Sequence, residues 1–507
     1  MSTLAAQARR RTPPSRLLML MPLLTVVAAL GLAAARPPDS VLTTPPARPV
    51  PVEARTLTCF ELPDGAARST VAVGLADVGE LPGGSGDSSR STLDAPLLDL
   101  NSPGAWTTRT LSAQRGGRPR DVVITADGPA AAGLDAFSAD VAEPGGGNGL
   151  AVQHCAEPAR GWWFVGAAST STRSGAIVLH APAEAEAVVD IVLRGPDGLL
   201  DAVGSQDIRV DAGSTVTLPL TDLVAGADDV AVEVRTSQGR VAAAVAETGP
   251  AGTEWLPAAR TPAQTLLVPG IGGASGARGE AVLLVANPRE RSVVARPTLV
   301  TETGRTTLSG VESVQVPGAG VAAVDLPPDL AAGSTIELRA DAPLTASVRS
   351  VTGSDVATAA GAMALDGPAV VPVDLGADAA VSPATALTVS ALLVDPEAQT
   401  VRSRAVVFRG ADADGATLGT GSLELDAGTS RAVDLDEVLG LSDGAAADLD
   451  YVVVRPSARG AETAPVVGSL SVTSSRGLSV LPLRSLVTTL TGPVLVPQVV
   501  PHSPPAS

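Results

Sequence analysis

A period of about 107 residues constrains this chain more than any other feature. The same order of elements occurs three times after residue 175. An apolar strand ends in x-Pro at Pro182, Pro288 and Pro396. A second strand ends in a turn at Asp197-Gly198, Thr303-Gly304 and Asp414-Gly415. A tight turn follows at Gly213, Gly320 and Gly428, then a strand closing at Leu220, Leu326 and Leu435. An edge strand ends in Val234-Arg235, Leu338-Arg339 and Val454-Arg455. A partner strand covers residues 241–246, 344–348 and 466–472. The Pro markers lie 106 and 108 apart, the Gly markers 107 and 108, the Leu markers 106 and 109. Three markers holding one period indicate duplication. Six or seven short strands in about 107 residues fit an immunoglobulin-like β-sandwich. Solenoid repeats of roughly 20–45 residues and propeller blades of about 40–50 fit poorly.

The expected fold class is therefore all-β, a tandem of immunoglobulin-like sandwiches over 161–262, 263–368 and 369–492. Val, Leu, Ile and Thr alternate with small or polar residues, and Gly, Pro and Asp punctuate the strands. Residues 53–160 have β-like runs at 69–75 and 121–126, but their markers do not follow the repeat order. They read as a divergent β domain. Only nine residues are aromatic, so the cores must be built from Val, Leu, Ala and Thr. Each such side chain buries little area, and contact between successive domains is expected to supplement the cores.

The N-terminus carries a membrane signal. Arg9, Arg10, Arg11 and Arg16 precede 19 uncharged residues, 17–35, closed by Arg36. As a helix that run spans about 28 Å, close to a bilayer core. The arginines place residues 1–16 in the cytoplasm and the bulk of the chain outside. Ala33-Ala34-Ala35 is also a small-residue cleavage site, and cleavage would give a secreted protein. Residues 36–52 and 493–507 are Pro-rich and read as an extended spacer and a tail.

Cys59 and Cys155 are the only thiols, and both fall on the expected exported side. An even count outside the cytoplasm favours a structural disulfide, here closing the divergent domain onto the first repeat. Phe60 and Trp162-Trp163-Phe164 cluster near these cysteines. On a strand, Trp162 and Phe164 share one face and Trp163 takes the other. One face is expected in the core, the other exposed or between domains. Trp162, Trp163 and Trp255 are the candidates for a ligand- or partner-facing role.

Catalytic chemistry finds little foothold. The chain has three His, no Gly-x-Ser-x-Gly elbow and no Cys-x-x-Cys. Gly270-Ile271-Gly272-Gly273 lacks the third glycine of a dinucleotide fingerprint. Asp412-Ala413-Asp414-Gly415 resembles the start of a calcium loop but lacks its remaining ligands and sits at a repeat hairpin. The pairs Asp228-Asp229 and Asp436-Glu437 read as solvated charge. No enzyme activity, cofactor or metal is expected. From residue 36 onward 31 Arg face 53 acidic residues, a net of −22, which opposes nucleic-acid binding.

The Arg-rich start, the apolar run, the Pro-rich spacer, Cys59, Cys155-x-x-Pro158, Trp163-Phe164-Val165-Gly166 and the Asn287-Pro288 strand end resemble an uncharacterised family of actinobacterial envelope proteins. The Lys-free, Arg-rich usage is similar to that of high-GC genomes. Gly166-Ala167 departs from the family's usual Gly-Gly. The resemblance implies a single-pass, extracytoplasmic accessory or scaffold protein, with a membrane glycosyltransferase as its partner in polysaccharide assembly. Binding of cell-wall polysaccharide through the tryptophans near the disulfide is the alternative.

Overall fold

The chain repeats one strand order four times rather than three. The structure, a computed structural model, describes residues 49–63, 68–77, 92–94, 104–111, 121–141, 149–271, 280–328, 330–331, 333–352, 355–376, 384–392, 404–457, 464–474 and 477–491. The apolar run 17–35, Pro396 and the tail 493–507 lie outside these residues. Among the described residues, no helix is long and apolar enough to cross a membrane. The protein is all-β.

A short strand, β1 (Pro49–Pro51), precedes the first unit. That unit comprises β2 (Ala54–Cys59), β3 (Arg68–Leu75), β4 (Thr92–Asp94), β5 (Trp106–Leu111), β6 (Val122–Asp127), β7 (Leu134–Val141) and β8 (Leu150–His154). They form one sheet ordered β2-β6-β4 and another ordered β5-β3-β7-β8.

The second unit comprises β9 (Gly161–Ala167), β10 (Ser174–His180), β11 (Ala187–Gly195), β12 (Gly198–Leu199), β13 (Ile208–Val210), β14 (Thr215–Pro219), β15 (Val230–Gln238), β16 (Ala242–Gly249) and β17 (Gly252–Leu256). Its sheets are β12-β11-β15-β9, with β13 on β11, and β14-β10-β16-β17. The third holds β18 (Ala263–Pro269), β19 (Glu280–Ala286), β20 (Val293–Thr301), β21 (Gly304–Thr307), β22 (Val314–Val316), β23 (Val321–Asp325), β24 (Thr335–Thr352) and β25 (Asp355–Ala360). Here β24 serves both sheets. Residues 335–340 pair with β18 and β20, and residues 345–351 pair with β19 and β25. The fourth holds β26 (Ala369–Pro372), β27 (Ala384–Ala391), β28 (Arg404–Ala411), β29 (Thr417–Leu425), β30 (Ser430–Val433), β31 (Tyr451–Pro456), β32 (Val466–Ser474) and β33 (Gly477–Pro482), and β34 (Thr489–Thr491) follows. Its sheets are β26-β31-β28-β29 and β30-β27-β32-β33.

The first unit therefore shares the plan of the others, a correction to the divergent reading. Its third strand has only three residues and its x-Pro marker is missing, which hides the match. The strands ending at Arg235, Leu338-Arg339 and Arg455 are also not edges. β15 is flanked by β11 and β9, and the equivalent strands are flanked likewise. Arg235 and Arg455 are exposed and Arg339 is half-buried within these paired strands, and those charges made the strands read as edges.

Within each unit the two sheets face each other across an apolar core. In the second, Ile177 and Leu179 meet Val189, Ile191, Val232 and Val234. Residues 50–490 make one compact body, and its units close into a ring. Phe60 and Leu62 of the first pack on Val178, Ala242, Ala244 and Trp255 of the second. Val165 and Ala231 of the second meet Leu284, Ala286 and Val321 of the third. Leu267 and Ala362 of the third meet Val467 of the fourth. Trp106 of the first stacks on Tyr451 of the fourth at 5.3 Å, and the Tyr451 hydroxyl donates to Gly104 O at 2.8 Å. The last strands, β8, β17, β25 and β33, pack in a cycle at the centre.

Cys59 and Cys155 are disulfide-bonded. The bridge joins the first strand of the first unit to the residue after its last strand, so it stays inside that unit instead of reaching the next.

Candidate functional site

After each unit's last strand the chain runs back beside that unit's own first strand. Ala156 bridges Thr58, Ala362 bridges Leu267, and Ser485 bridges Ala369. In the second unit Ala259 N donates to Trp163 O at 2.8 Å. Four returning segments thus converge at one end of the central strands, and between them lies a cavity of about 470 Å³. That volume is in the usual range for small-ligand sites. Residues 157–163, 258–261, 361–363 and 482–484 line it, with Arg240. Every unit contributes.

Trp162 and Trp163 both belong to this wall. Trp162 is half-buried, stacks on Phe164 with centroids 6.4 Å apart, and donates Nε1–H to Val241 O at 2.9 Å. Its ring is held in place. Trp163 takes the opposite face of β9, buried, with the Arg194 guanidinium 4.9 Å from its ring centroid. Arg194 is itself paired with Glu233 at 2.8 Å. Strand alternation thus separates the two rings as the sequence suggested. Trp255 is elsewhere. It is buried between the first two units, 6.5 Å from Phe60, and donates Nε1–H to Asp140 at 2.8 Å. Its ligand-facing candidacy gives way to a packing role, because the neighbouring unit covers it.

The cavity wall carries Arg160, Arg240, Arg260 and Arg484 against one acid, Glu157. Arg160 and Arg240 are exposed. Arg260 donates to Thr265 O at 3.3 Å, and its backbone N–H donates to Gly361 O at 2.7 Å. Burial pulls the Arg484 pKa down, while Asp135 and Glu157 pull it back; an arginine remains charged under such opposing shifts. Burial pushes Asp135 up to about 7 despite Arg55 and Arg484 nearby. Near neutrality Asp135 is therefore only partly ionised and offsets Arg484 incompletely.

His154 borders two smaller cavities beside Arg484, of about 20 and 60 Å³. Burial, with Arg484 adding to it, drives its pKa well below the ordinary histidine value. Its Nε2 faces Pro482 O at 3.0 Å and must donate, so the ring is neutral with Nε2 protonated. His180 is likewise engaged, with Nδ1 3.0 Å from the Thr215 hydroxyl.

The acidic motifs have structural roles. Asp412 Oδ1 accepts from Asp414 N and Ala416 N, shaping the β28–β29 hairpin. Asp228 pairs with Arg173. Asp436 accepts from Gly444 N and Ala446 N at 2.8 and 2.6 Å. Among the described residues, no cluster of His, Cys, Asp and Glu could hold a metal ion.

Sequence reasoning missed the four arginines. They are spread over 160–484, and no local motif links them. The repeat phase was the available signal, since Arg160, Arg260 and Arg484 all fall in the segment after a unit's last strand or at its end.

A model of a family of unknown function, DUF5719, matches residues 110–436, well over half of the chain. The matched region includes Trp162, Trp163, Arg160, Arg240 and Arg260. No curated protein and no solved structure matches the chain.

Proposed function

This chain belongs to the DUF5719 family of unknown function, and from that premise we propose that it is a non-enzymatic glycan-binding protein of an actinobacterial cell envelope. In this reading residues 17–35 anchor it in the membrane, and four immunoglobulin-like sandwiches stand outside. The observation that carries the binding role is the placement of Trp162 and Trp163 on the wall of the 470 Å³ axial cavity. Indole rings offer flat apolar faces for sugar rings, and Trp162 is fixed by its hydrogen bond and its stacking partner. The non-enzymatic reading is supported by His154 Nε2 and His180 Nδ1, which are engaged by Pro482 O and the Thr215 hydroxyl.

The test uses the full-length protein and envelope polysaccharide. Polysaccharide should protect Trp fluorescence from quenching, and Trp162→Ala should abolish retention while leaving the thermal transition in place. A variant that loses its fold, with no protection in the parent protein, would return both tryptophans to core packing.

A second reading, an accessory subunit or scaffold for a membrane glycosyltransferase, is favoured by one surface feature. Leu199 and Val203 of the second unit are 64% and 74% exposed. Crosslinking in intact cells should capture a membrane partner at this loop. Recovery of the protein alone would leave the glycan reading.

A further inference from the structure

We propose that the axial cavity recognises an oxyanion carried on a saccharide, a phosphate or a carboxylate, through Arg160, Arg240, Arg260 and Arg484. This deepens the glycan-binding reading and rests on it.

Four of the 18 residues lining the cavity are arginine, whereas the chain has 35 in 507 and a net charge of −18. Basic charge is therefore concentrated here against the trend of the whole molecule. These charges are also less spent than others. Arg173 is held by Glu247 at 2.9 Å, Arg194 by Glu233 at 2.8 Å and Arg404 by Ser457 O at 2.7 Å. Among the described residues, no carboxylate pairs with Arg160, Arg240 or Arg260. The single acid of the wall, Glu157, is 55% exposed and lies 3.8 Å from Arg55 Nε. It answers Arg55 as well as Arg484.

Guanidinium groups present planar forks that match phosphate and carboxylate oxygens. In a concave site with apolar walls the field of like charges is focused rather than dispersed. Ala258, Ala259, Met363 and Leu483 supply those walls. The combination selects a ligand with two ends. Its ring lies on Trp162, and its oxyanion reaches the arginines. The four cations come from three different units, so the site exists only when the ring is closed.

The experiment is calorimetric titration of the full-length protein with glucose 6-phosphate, glucuronate, glucose and inorganic phosphate. Both acidic sugars, or one of them, should bind at least about tenfold more tightly than glucose, one charge-assisted contact being worth about that factor. Binding by one alone assigns the oxyanion to phosphate or carboxylate. The double variant R160Q/R240Q, at exposed positions, should weaken acidic sugars about tenfold more than it weakens glucose and leave the melting temperature unchanged. Raising the salt should act in the same direction. Equal affinity for glucose and the acidic sugars, or no effect of R160Q/R240Q, overturns the oxyanion inference and leaves the glycan site standing. Inorganic phosphate binding as tightly as the acidic sugars overturns the saccharide half. No binding of any saccharide overturns both this inference and the reading beneath it.

Discussion

Asp140 accepts the indole proton of Trp255 in a fully buried position between two units. Burial raises its pKa to about 7, against the lowering effect of Ser69 and Trp255. In the unfolded chain the same carboxyl titrates near 4. Between these values the folded state holds a proton that the unfolded state has lost. The stability from this group is thus complete below about pH 4 and lost as pH rises through about 7, up to about 4 kcal/mol. Asp140→Asn keeps an acceptor for Trp255 and cannot ionise. It should stabilise the protein at pH 8 and converge with the parent near pH 4 in denaturant titrations. A difference independent of pH would show that Asp140 does not titrate as argued. Gly74 makes a sharper steric demand. A Cβ there would stand 2.2 Å from Trp106 Cε3, so Gly74→Ala should cost about 1–3 kcal/mol by displacing the ring that stacks on Tyr451. Thermal melts of the variant test this. Neither demand is legible in sequence, because Asp140 and Trp255 are 115 residues apart.

Strands in this protein divide by what covers them. β14 alternates exposed and half-buried residues, and β29 alternates nearly throughout. β8, β25 and β7 are buried at every position. The buried group meets neighbouring units: in β7 Ala136 faces the first unit's core and Phe137 that of the fourth, and in β8 Val152 joins the fourth unit's core and Ala151 the seam with the second. In β3, Val71 and Val73 face the first unit's core, whereas Ala72 belongs to the core of the fourth. The few aromatics gather at these seams, Phe60 with Trp255 and Trp106 with Phe137 and Tyr451. The disulfide also works at this scale. It fastens the end of β2 to the return after β8, the cysteines lying 96 positions apart. Replacing both cysteines by serine should cost about 2–5 kcal/mol in chemical denaturation. A negligible change would mean that unit contacts already fix both strands.

At the scale of the molecule, closure couples the chain's first and last units. Trp106 packs in one core with Phe408 and Tyr451 and donates Nε1–H to Asp374 O at 3.1 Å. Trp106→Ala should cost about 3–5 kcal/mol. It should also speed amide exchange in strands of both the first and the fourth units. Exchange confined to the first would show that the seam does not couple them. Loss of the fourth unit by ending the chain at residue 368 should remove the cooperative transition of the remaining three, as read by calorimetry, because their end faces would be exposed.

The sequence by itself determined the strand content, the period of the last three units and the pairing of Cys59 with Cys155. These follow from local alternation, from turn residues and from a cysteine count of two, all properties that neighbouring residues express without distant partners. The three-residue β4 left no comparable pattern, so only the hydrogen-bonded order β2-β6-β4 shows that the first unit shares the plan. The tertiary structure alone decided that Trp255 is a core residue, that the units close into a ring, and that Arg160, Arg240, Arg260 and Arg484 share one cavity. Each of these depends on which face meets a unit far away in the chain. Side-chain periodicity tells which residues share a face; it does not tell what that face will meet.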